Sequence, residues 1–263
     1  MKITALTSCC VDLFPELNEV YVGGNSLNFI TQCKLSGIAD LSVIGAVGDD
    51  QYAPLIEAHF DKHTIDRSGL RRIDANTASN KIFVDAQGDR YFKEDSWNGG
   101  AFDAFRLTDN DWSYLKSRDI IAMPAGDPNL SELLDRRTDN QLVVIDFLDY
   151  FTLDFVESKI TNLDIAFISA KDDMMEGLNS IAKKSGKMIV ATLGAKGSVA
   201  FWDGSKYFQD ALEVDEVIDT TGCGDAFQAA FAIEWAKSKN IHQALMEGSK
   251  AAKKVLGFVG GVQ

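Results

Sequence analysis

The sequence Val217-Ile218-Asp219-Thr220-Thr221-Gly222-Cys223-Gly224-Asp225-Ala226-Phe227 decides the expected fold of this chain of 263 residues. Its first two residues have the character of a strand end, residues 219–224 form a small-residue turn, and residues 226–236 have the composition of a buried helix. Glycines allow a tight turn and a close approach of the backbone to a ligand. Free amides at a helix N-terminus favour an anion. The stretch therefore predicts a strand–turn–helix unit whose helix start binds an anionic group.

Asp225 lies at the start of this predicted helix, where its own charge would repel a phosphate. It could cap the helix, as acidic residues commonly do. It could instead orient a substrate hydroxyl and accept its proton, while nearby amides hold the charge of a transferring phosphoryl group. Taken alone, the Gly-x-Gly-Asp pattern leaves both interpretations open.

The composition is that of a globular α/β protein, with 46% hydrophobic and 25% charged residues. A net charge of −13 without a Lys/Arg cluster argues against a nucleic-acid surface. We expect a cytoplasmic protein with reduced thiols, because the cysteines form no Cys-x-x-Cys pair and no secretory signal or membrane-length apolar run is present. Three histidines and no Cys/His cluster give little support to a zinc site or a Ser-His-Asp hydrolase.

A second glycine-rich turn lies near the start of the chain. Ile3 to Cys10 predicts a central strand, and Asp12 follows at the edge where parallel sheets bind ligands, although it could equally be a turn or cap residue. Residues 13–22 contain a proline and end in Val-Tyr-Val, which predicts an exposed strand leaving the main sheet. Gly23 and Gly24 then open a helix, with Asn28 one turn inside it.

The rest of the chain has the pattern of a parallel sheet. From residue 119 onward, continuous apolar strands alternate with helices, which predicts a parallel sheet with helices packed on both faces. A hairpin is expected within residues 77–98, with its turn at 86–89. No linker interrupts the chain, so we predict one α/β domain over residues 1–263 with strand excursions at about 13–22 and 77–98.

Two stretches resemble signatures of the PfkB (ribokinase-like) carbohydrate kinases. Residues 219–227 resemble Asp-Thr-x-Gly-Ala-Gly-Asp-x-Phe, with Cys223 in place of alanine, and residues 23–28 resemble Gly-Gly-x-x-x-Asn. Residues 192–198 further resemble the Thr-x-Gly-x-x-Gly segment of this family, and residues 257–261 its closing turn near the adenine. The motifs occur in the expected order, and the resemblance covers essentially the whole chain.

The resemblance implies a ribokinase-like fold: a central, mostly parallel sheet with helices on both faces and a small β lid over the sugar. It implies an ATP-dependent sugar kinase that uses Mg²⁺ and, in some members, K⁺. Its partners would be a sugar and ATP, with no nucleic acid or membrane, and a homodimer could form through the lid.

The resemblance also assigns roles to single residues. The catalytic set is Asp225 as base, with amides of Gly222, Cys223 and Gly224 for the phosphoryl charge. The sugar-binding set is Asp12, Gly23, Gly24, Asn25 and Asn28. The nucleotide set is Thr192, Gly194, Gly197, Thr221, Gly222 and Gly224.

The chain departs from the family at the usual Asn-x-x-Glu motif, where it has Ser169-Ala170-Lys171-Asp172. In that register Asp172 replaces the glutamate that positions Mg²⁺ through water, and few protein carboxylates are needed when substrate phosphates contribute ligands. Asp219 and Thr221 are the candidates for the monovalent cation.

Residues 10–18 and the Gly-Gly-Asn-x-x-Asn variant at 23–28 resemble the fructoselysine 6-kinase subgroup. The prediction is therefore transfer of the γ-phosphoryl group to a sugar hydroxyl, with the 6-hydroxyl of a fructosamine as the implied acceptor. The alternatives are another kinase of the family (a fructokinase, ribokinase or nucleoside kinase) and a catalytically silent sugar-binding regulator on the same fold. A dehydrogenase is disfavoured because the chain lacks a dinucleotide fingerprint.

Overall fold

The computed structural model describes residues 1–84, 90–91, 93–257 and 262. The strands of this part of the chain are β1 (Lys2–Thr7), β2 (Cys10–Phe14), β3 (Glu19–Gly23), β4 (Asp40–Gly48), β5 (Asp66–Ile73), β6 (Ser79–Lys81), β7 (Phe83–Val84), β8 (Arg90–Tyr91), β9 (Trp97–Asn98), β10 (Ile120–Pro124), β11 (Leu142–Asp146), β12 (Ile165–Ser169), β13 (Met188–Thr192), β14 (Ser198–Trp202) and β15 (Ser205–Gln209). Its α-helices are α1 (Asn25–Leu35), α2 (Ala53–Lys62), α3 (Gly100–Ala104), α4 (Asp109–Leu115), α5 (Leu130–Arg136), α6 (Leu153–Lys159), α7 (Met175–Ser185), α8 (Cys223–Ser238) and α9 (Ile241–Val255).

A nine-stranded sheet forms the centre of the described chain, in the order β15-β14-β13-β12-β11-β10-β1-β4-β5. Its strands from β13 to β5 are all parallel, and β14 and β15 continue the sheet antiparallel. Apart from the edge strand β5, the parallel strands are almost wholly buried, so both faces of the sheet must be covered. Side chains of α1, α2, α8 and α9 pack on one face, and those of α3 to α7 on the other. The predicted α/β architecture is confirmed.

A smaller, separate sheet contains four strands of the described chain, in the order β3-β2-β6-β9. β2 and β3 form an antiparallel hairpin, β6 runs parallel to β2, and β9 runs antiparallel to β6. β7 and β8 pair antiparallel beside it, as the hairpin prediction requires. The turn predicted at residues 86–89 lies outside the described residues, as does nearly all of the closing turn at 257–261. We call the four-stranded unit the second sheet.

Two predicted strand boundaries at the ligand edge were wrong. β1 ends at Thr7 rather than Cys10, because Thr7 adopts a φ of 69° that extended backbone does not allow. The chain then enters the second sheet, so Asp12 lies inside β2, opposite Tyr21, and not just past a strand of the main sheet. Val217 and Ile218 are not in a strand either: both side chains are half-exposed, and the amide of Ile218 donates to the carbonyl of a residue after α9.

α8 is the buried helix that the sequence predicts. Its apolar side chains pack between α1 and α9, with Ala226, Phe227, Ala229 and Phe231 almost completely buried. This packing fixes the position of α8, and the first turn of the helix faces the carboxyl ends of the central strands. This arrangement brings the motif at residues 219–225 to the edge where open parallel sheets bind ligands.

Candidate active site

A cleft of about 930 Å³ lies at the carboxyl ends of β11, β12 and β13. The first turn of α8, the β13–β14 turn and the inner face of α9 complete its walls. Five of the predicted nucleotide-binding residues line it, namely Thr192, Gly194, Gly197, Gly222 and Gly224. Thr221, the sixth member of that set, is not among the lining residues. The cleft is large enough for a ligand the size of a nucleotide.

The backbone at the start of α8 depends on Gly222, which caps the helix with φ 76° and ψ −2°. This left-handed conformation is readily adopted only by glycine. The amide of Cys223 donates to the carbonyl of Thr220 at 3.3 Å, a long bond, and Gly224 is exposed to the cleft. The turn therefore presents backbone amides at the positive end of a sixteen-residue helix.

The contacts of Asp225 differ from those of a helix cap. Both oxygens accept hydrogen bonds from side chains of α1: Oδ1 from Nδ2 of Asn25 at 2.9 Å, and Oδ2 from Nδ2 of Asn28 at 2.9 Å. No side chain caps the N-terminus of α8. The two predicted motifs, far apart in sequence, are therefore in direct contact. The two asparagine side chains hold Asp225 in place, and its side chain lines the wall of the cleft.

Asp146 is a residue of this site that the sequence analysis missed as a candidate. It ends β11 and is only 6% exposed. Its carboxylate accepts Nδ2 of Asn25 at 2.6 Å and the amide of Leu148 at 2.9 Å, and it is also hydrogen-bonded to the side chain of Gln228. A signal was available, because a carboxylate at the carboxyl end of an apolar parallel strand lies where such sheets bind ligands. That argument was applied to Asp12 instead.

The surroundings of the site raise the proton affinity of its carboxylates. Burial raises the pKa of Asp225 well above its usual range, and the charge of Asp146 raises it further, while the hydrogen bonds from Asn28 and Asn25 act in the opposite direction. Burial likewise raises the pKa of Asp146, against the hydrogen bonds of Gln228, Leu148 and Asn25. A carboxylate with a raised pKa is a stronger proton acceptor at neutral pH than an ordinary aspartate.

The second sheet contributes the residues before α1. Gly24 has φ 104°, and a Cβ there would lie 2.5 Å from the carbonyl oxygen of Ser8. A Cβ at Gly23 would lie 2.5 Å from Oδ2 of Asp12, so both glycines permit close packing. The charge of Asp12 also raises the pKa of Asp225, because the two carboxylates belong to the same site. Of the five predicted sugar-binding residues, Asn25 and Asn28 therefore contact Asp225 directly. Asp12 acts on Asp225 through its charge, and Gly23 packs against Asp12.

Asn28 supplies an acceptor that the described residues do not use. The side chain is 6% exposed, and its Oδ1 is buried without a hydrogen-bond partner in the described part of the chain. Its Nδ2 must face Asp225, because only the NH₂ group can donate to a carboxylate. A buried acceptor without a partner costs free energy unless a donor reaches it. A ligand hydroxyl beside Asp225 would supply that donor.

The predicted metal residues Asp172, Asp219 and Thr221 lie outside the lining of the cleft. Asp172 is 70% exposed and forms an ion pair with Lys196. Asp219 is buried and accepts the amide of Thr221 at 2.9 Å. Within residues 1–84, 90–91, 93–257 and 262, no group of three or more His, Cys, Asp or Glu side chains could hold a metal ion. No described helix is both long and apolar enough to span a membrane.

The chain is similar to known proteins over nearly its whole length. A model of the pfkB family carbohydrate kinases matches residues 15–262. Fructoselysine 6-kinase of Escherichia coli (strain K12) is 29% identical over 254 residues, which are 95% of this chain and 95% of that protein. Fructosamine kinase of Bacillus subtilis (strain 168) is 27% identical over 266 residues, covering 99% and 92% respectively.

Among solved structures, a ribokinase of Arabidopsis thaliana complexed with ribose and ATP superposes with a TM-score of 0.84 at 20% identity. The superposition covers 98% of this chain and 93% of that one. At this identity the likeness shows the fold, which is the ribokinase-like fold that the sequence motifs implied.

Proposed function

Because the chain belongs to the pfkB family of carbohydrate kinases, we propose that it transfers the γ-phosphoryl group of ATP to the 6-hydroxyl of fructoselysine or a related fructosamine. The observation that carries the reaction type is the contact of Asp225 with Asn25 and Asn28 at the start of α8. The support for the substrate is the similarity to fructoselysine and fructosamine kinases over nearly the full length of both proteins.

Asp225 is the proton acceptor of the proposed reaction. As the sugar hydroxyl oxygen bonds to the γ-phosphorus, its proton passes to the Asp225 carboxylate, and the bond from the γ-phosphorus to the bridging oxygen breaks to release ADP. The raised pKa of Asp225 makes it a better acceptor than a solvated aspartate. Backbone amides of Gly222, Cys223 and Gly224 hold the charge of the phosphoryl group, aided by the positive end of α8.

The sugar lies between α1 and the second sheet in this proposal. Asp12, Gly23, Gly24, Asn25 and Asn28 form its binding site, with hydroxyls as the donors. The buried, unpartnered Oδ1 of Asn28 supports this, because a sugar hydroxyl would satisfy it. The second sheet acts as a lid that excludes water, which would otherwise hydrolyse ATP. Exposed apolar side chains on this sheet, including Val20 and Trp97, are where a homodimer would form.

ATP occupies the cleft in this proposal, with its phosphates at the first turn of α8. Thr192, Gly194 and Gly197, which line the cleft, lie along the nucleotide. Thr221 belongs to the proposed set as the residue before Gly222, although it does not itself line the cleft. Mg²⁺ would reduce the charge on the phosphate oxygens, and Asp172, which is exposed and paired with Lys196, is the residue assigned to hold it through water in this proposal. Asp219 and Thr221 are the candidates for K⁺.

A coupled ADP-release assay tests the substrate assignment. It would compare fructoselysine and other Amadori compounds with fructose, ribose and adenosine, followed by competition between fructoselysine and fructose. We expect the highest kcat/KM with an aminated sugar, by roughly ten-fold or more, because one recognised group commonly contributes about 1–3 kcal/mol. A higher kcat/KM for fructose, ribose or a nucleoside would reject the fructosamine assignment and leave the kinase assignment intact.

Four carboxylates of the second sheet and its connections are candidates for contacting the substrate amine: Glu16, Glu19, Glu94 and Asp95. All four are exposed. Glu19 accepts the hydroxyl of Tyr21 at 2.7 Å, and Asp95 lies 3.7 Å from the ammonium of Lys81. We therefore assign no amine contact to any one of them, and the competition assay measures the preference as a whole.

A further inference from the structure

One amide joins two carboxylates of the site, of which Asp146 is buried and Asp225 is half-buried. Nδ2 of Asn25 donates to Oδ2 of Asp146 at 2.6 Å and to Oδ1 of Asp225 at 2.9 Å. The two carboxylates come from β11 and α8, and Asn25 is the first residue of α1. The bridge thus ties together three elements that are distant in sequence.

The chemistry of the bridge fixes the orientation of Asn25. Ionised carboxylates only accept hydrogen bonds, and the NH₂ group of asparagine has two hydrogens to donate. With an acceptor on each side, the amide cannot rotate by 180° without bringing its own oxygen against two carboxylates. Asn25 is therefore locked by Asp146 as much as by Asp225.

Asp146 is itself held rigidly. Besides Asn25, it accepts the amide of Leu148 at 2.9 Å and is hydrogen-bonded to Gln228, which lies one turn after Asp225 on α8. Its near-complete burial leaves it little room to change rotamer. An acceptor fixed in this way can position a donor more accurately than solvent can.

We propose that Asp146 is a positioning residue of the phosphoryl-transfer site, which holds the Asn25 amide against the carboxylate of the base. The inference rests on the proposed role of Asp225 as that base, and no role for Asp146 was expected from the sequence motifs. Asp146 acts through Asn25, so removing it should displace Asn25 and change the proton affinity of Asp225 together.

The charges around Asp225 determine in which direction each substitution changes its pKa. Asp225 faces Asp146 from β11, Asp12 from β2 and the thiols of Cys10 and Cys223. Asp146 in turn faces Asp149. Removing the charge of Asp146 lowers the pKa of Asp225, whereas removing the Asn25 donor raises it, because that hydrogen bond favours the ionised form.

The main experiment measures pH profiles of kcat/KM, with fructoselysine and ATP, for the wild type, Asp146→Asn and Asn25→Ala. We expect Asp146→Asn to move the acidic limb to lower pH by about one unit, and Asn25→Ala to move it to higher pH. We expect kcat of Asp146→Asn to fall about ten-fold at neutral pH while KM for ATP changes less than about two-fold. A merely structural residue would not give two limb shifts of opposite sign.

Asp149→Asn is the matched charge control. It removes one carboxylate three residues further along the chain, and Asp149 also lines the cleft but is exposed. We expect its limb shift to be less than about a third of that for Asp146→Asn, because solvent screens an exposed charge. An equal shift in both variants would mean that any nearby charge suffices, and would overturn the proposal.

The double variant Asn25→Ala/Asp146→Asn tests the route through Asn25. Once Asn25 is absent, adding Asp146→Asn should lower kcat by less than about two-fold further, because the two residues act in series. A full ten-fold effect in the Asn25→Ala background would contradict positioning. If Asp146→Asn does not fold, as judged by circular dichroism, an unshifted limb in Asn25→Ala would still reject the proposal, because Asn25 would then have no effect on the base.

Other results separate this proposal from the proposed function. An unchanged limb and kcat in Asp146→Asn, with Asp225→Asn inactive, would overturn the positioning role alone. A raised Mg²⁺ or ATP requirement without a limb shift would assign Asp146 to the metal or nucleotide and also overturn it. Normal turnover in Asp225→Asn would remove the base assignment, and the positioning role with it.

Discussion

Asp146 and Asp172 follow neighbouring strands of the same sheet, yet their surroundings are opposite. Asp146 ends β11, is 6% exposed and is surrounded by amide donors. Asp172 comes three residues after the end of β12, and its carboxylate is 70% exposed and paired with Lys196. The first residue has its pKa raised by burial, whereas the charge of the second is solvated.

Burial decides which carboxylates of a cleft affect its chemistry. A buried charge interacts strongly with its neighbours because little water screens it, and its protonation is coupled to theirs. An exposed ion pair contributes little, since solvent and salt screen it. We therefore expect substitutions at the buried cluster to have large effects on turnover, and substitutions at the exposed pair to have small ones.

The largest effect is expected at the centre of the buried cluster. Asp225→Asn keeps the size of the side chain but cannot accept the hydroxyl proton, so kcat should fall by roughly 10²–10⁴. ATP binding, measured by calorimetry, should be retained because the amides of the α8 turn are unchanged. Near-normal turnover in a correctly folded variant would contradict the role of Asp225 as base. It would also show that a carboxylate of the buried cluster matters no more for turnover than an exposed one.

A buried carboxylate outside the cleft lining, Asp127, sharpens the comparison by separating burial from catalysis. It is 5% exposed, and burial raises its pKa to about 6 despite hydrogen bonds from Asn129. The native state therefore binds more protons than the unfolded state between about pH 4 and 6, so stability falls as pH rises through this window. Raising the pKa of Asp127 from 3.8 to about 6 corresponds to about 3 kcal/mol of unfolding free energy.

Asp127→Asn tests this expectation through urea unfolding at pH 4, 5, 6 and 7. The neutral amide should fit, because the hydroxyl of Thr7, which donates to Asp127, can also accept a hydrogen bond. In the wild type we expect Asp127 to lower the unfolding free energy by about 3 kcal/mol as the pH rises through this window. In the variant most of this fall should be absent, because the amide does not titrate. Identical pH dependence in both proteins would show that burial at this site does not raise the pKa.

At the exposed pair we expect a modest change in metal requirement. Asp172→Asn removes one carboxylate that would contact Mg²⁺ through water, so the Mg²⁺ concentration for half-maximal activity should rise about two- to five-fold. The neighbouring, equally exposed Asp173→Asn serves as control and should leave this concentration unchanged. Equal behaviour of the two variants would exclude Asp172 as the metal residue.

The smallest effect is expected at Cys223, where the sequence departs from the family signature. Its backbone amide belongs to the α8 turn, and its thiol lies 3.6 Å from the carbonyl of Ala252. Burial raises the thiol pKa to about 12, so the thiolate is not formed at neutral pH. Cys223→Ala should keep kcat within about two-fold in the ADP-release assay. A complete loss of activity would mean that the thiol itself takes part.

Much of the architecture could be predicted from the sequence because it depends on local pattern. The apolar run at residues 142–146 becomes β11, and the run at 188–192 becomes β13. The small-residue turn before α8 requires a glycine in a left-handed conformation, which the Gly-x-Gly pattern indicates. These features are set by periodicity and by the conformations that single residues allow.

Local pattern failed where the outcome depended on partners elsewhere. Val217 and Ile218 are apolar enough for a strand, yet they form none. Asp12 was expected at the end of β1, but Thr7 ends that strand early and the chain turns into the second sheet. Neither result can be read from the residues themselves, because strand formation requires a partner edge.

The sequence by itself determined the α/β class, the buried helix α8 and the two glycine-rich motifs. Only the tertiary structure decided that Asn25 lies between Asp146 and Asp225, which are 121 and 200 residues away along the chain. It also decided which carboxylate is buried and which is solvated. The reason is that proton affinity depends on the distance to other charges and on the water excluded by packing, and both are properties of the assembled fold.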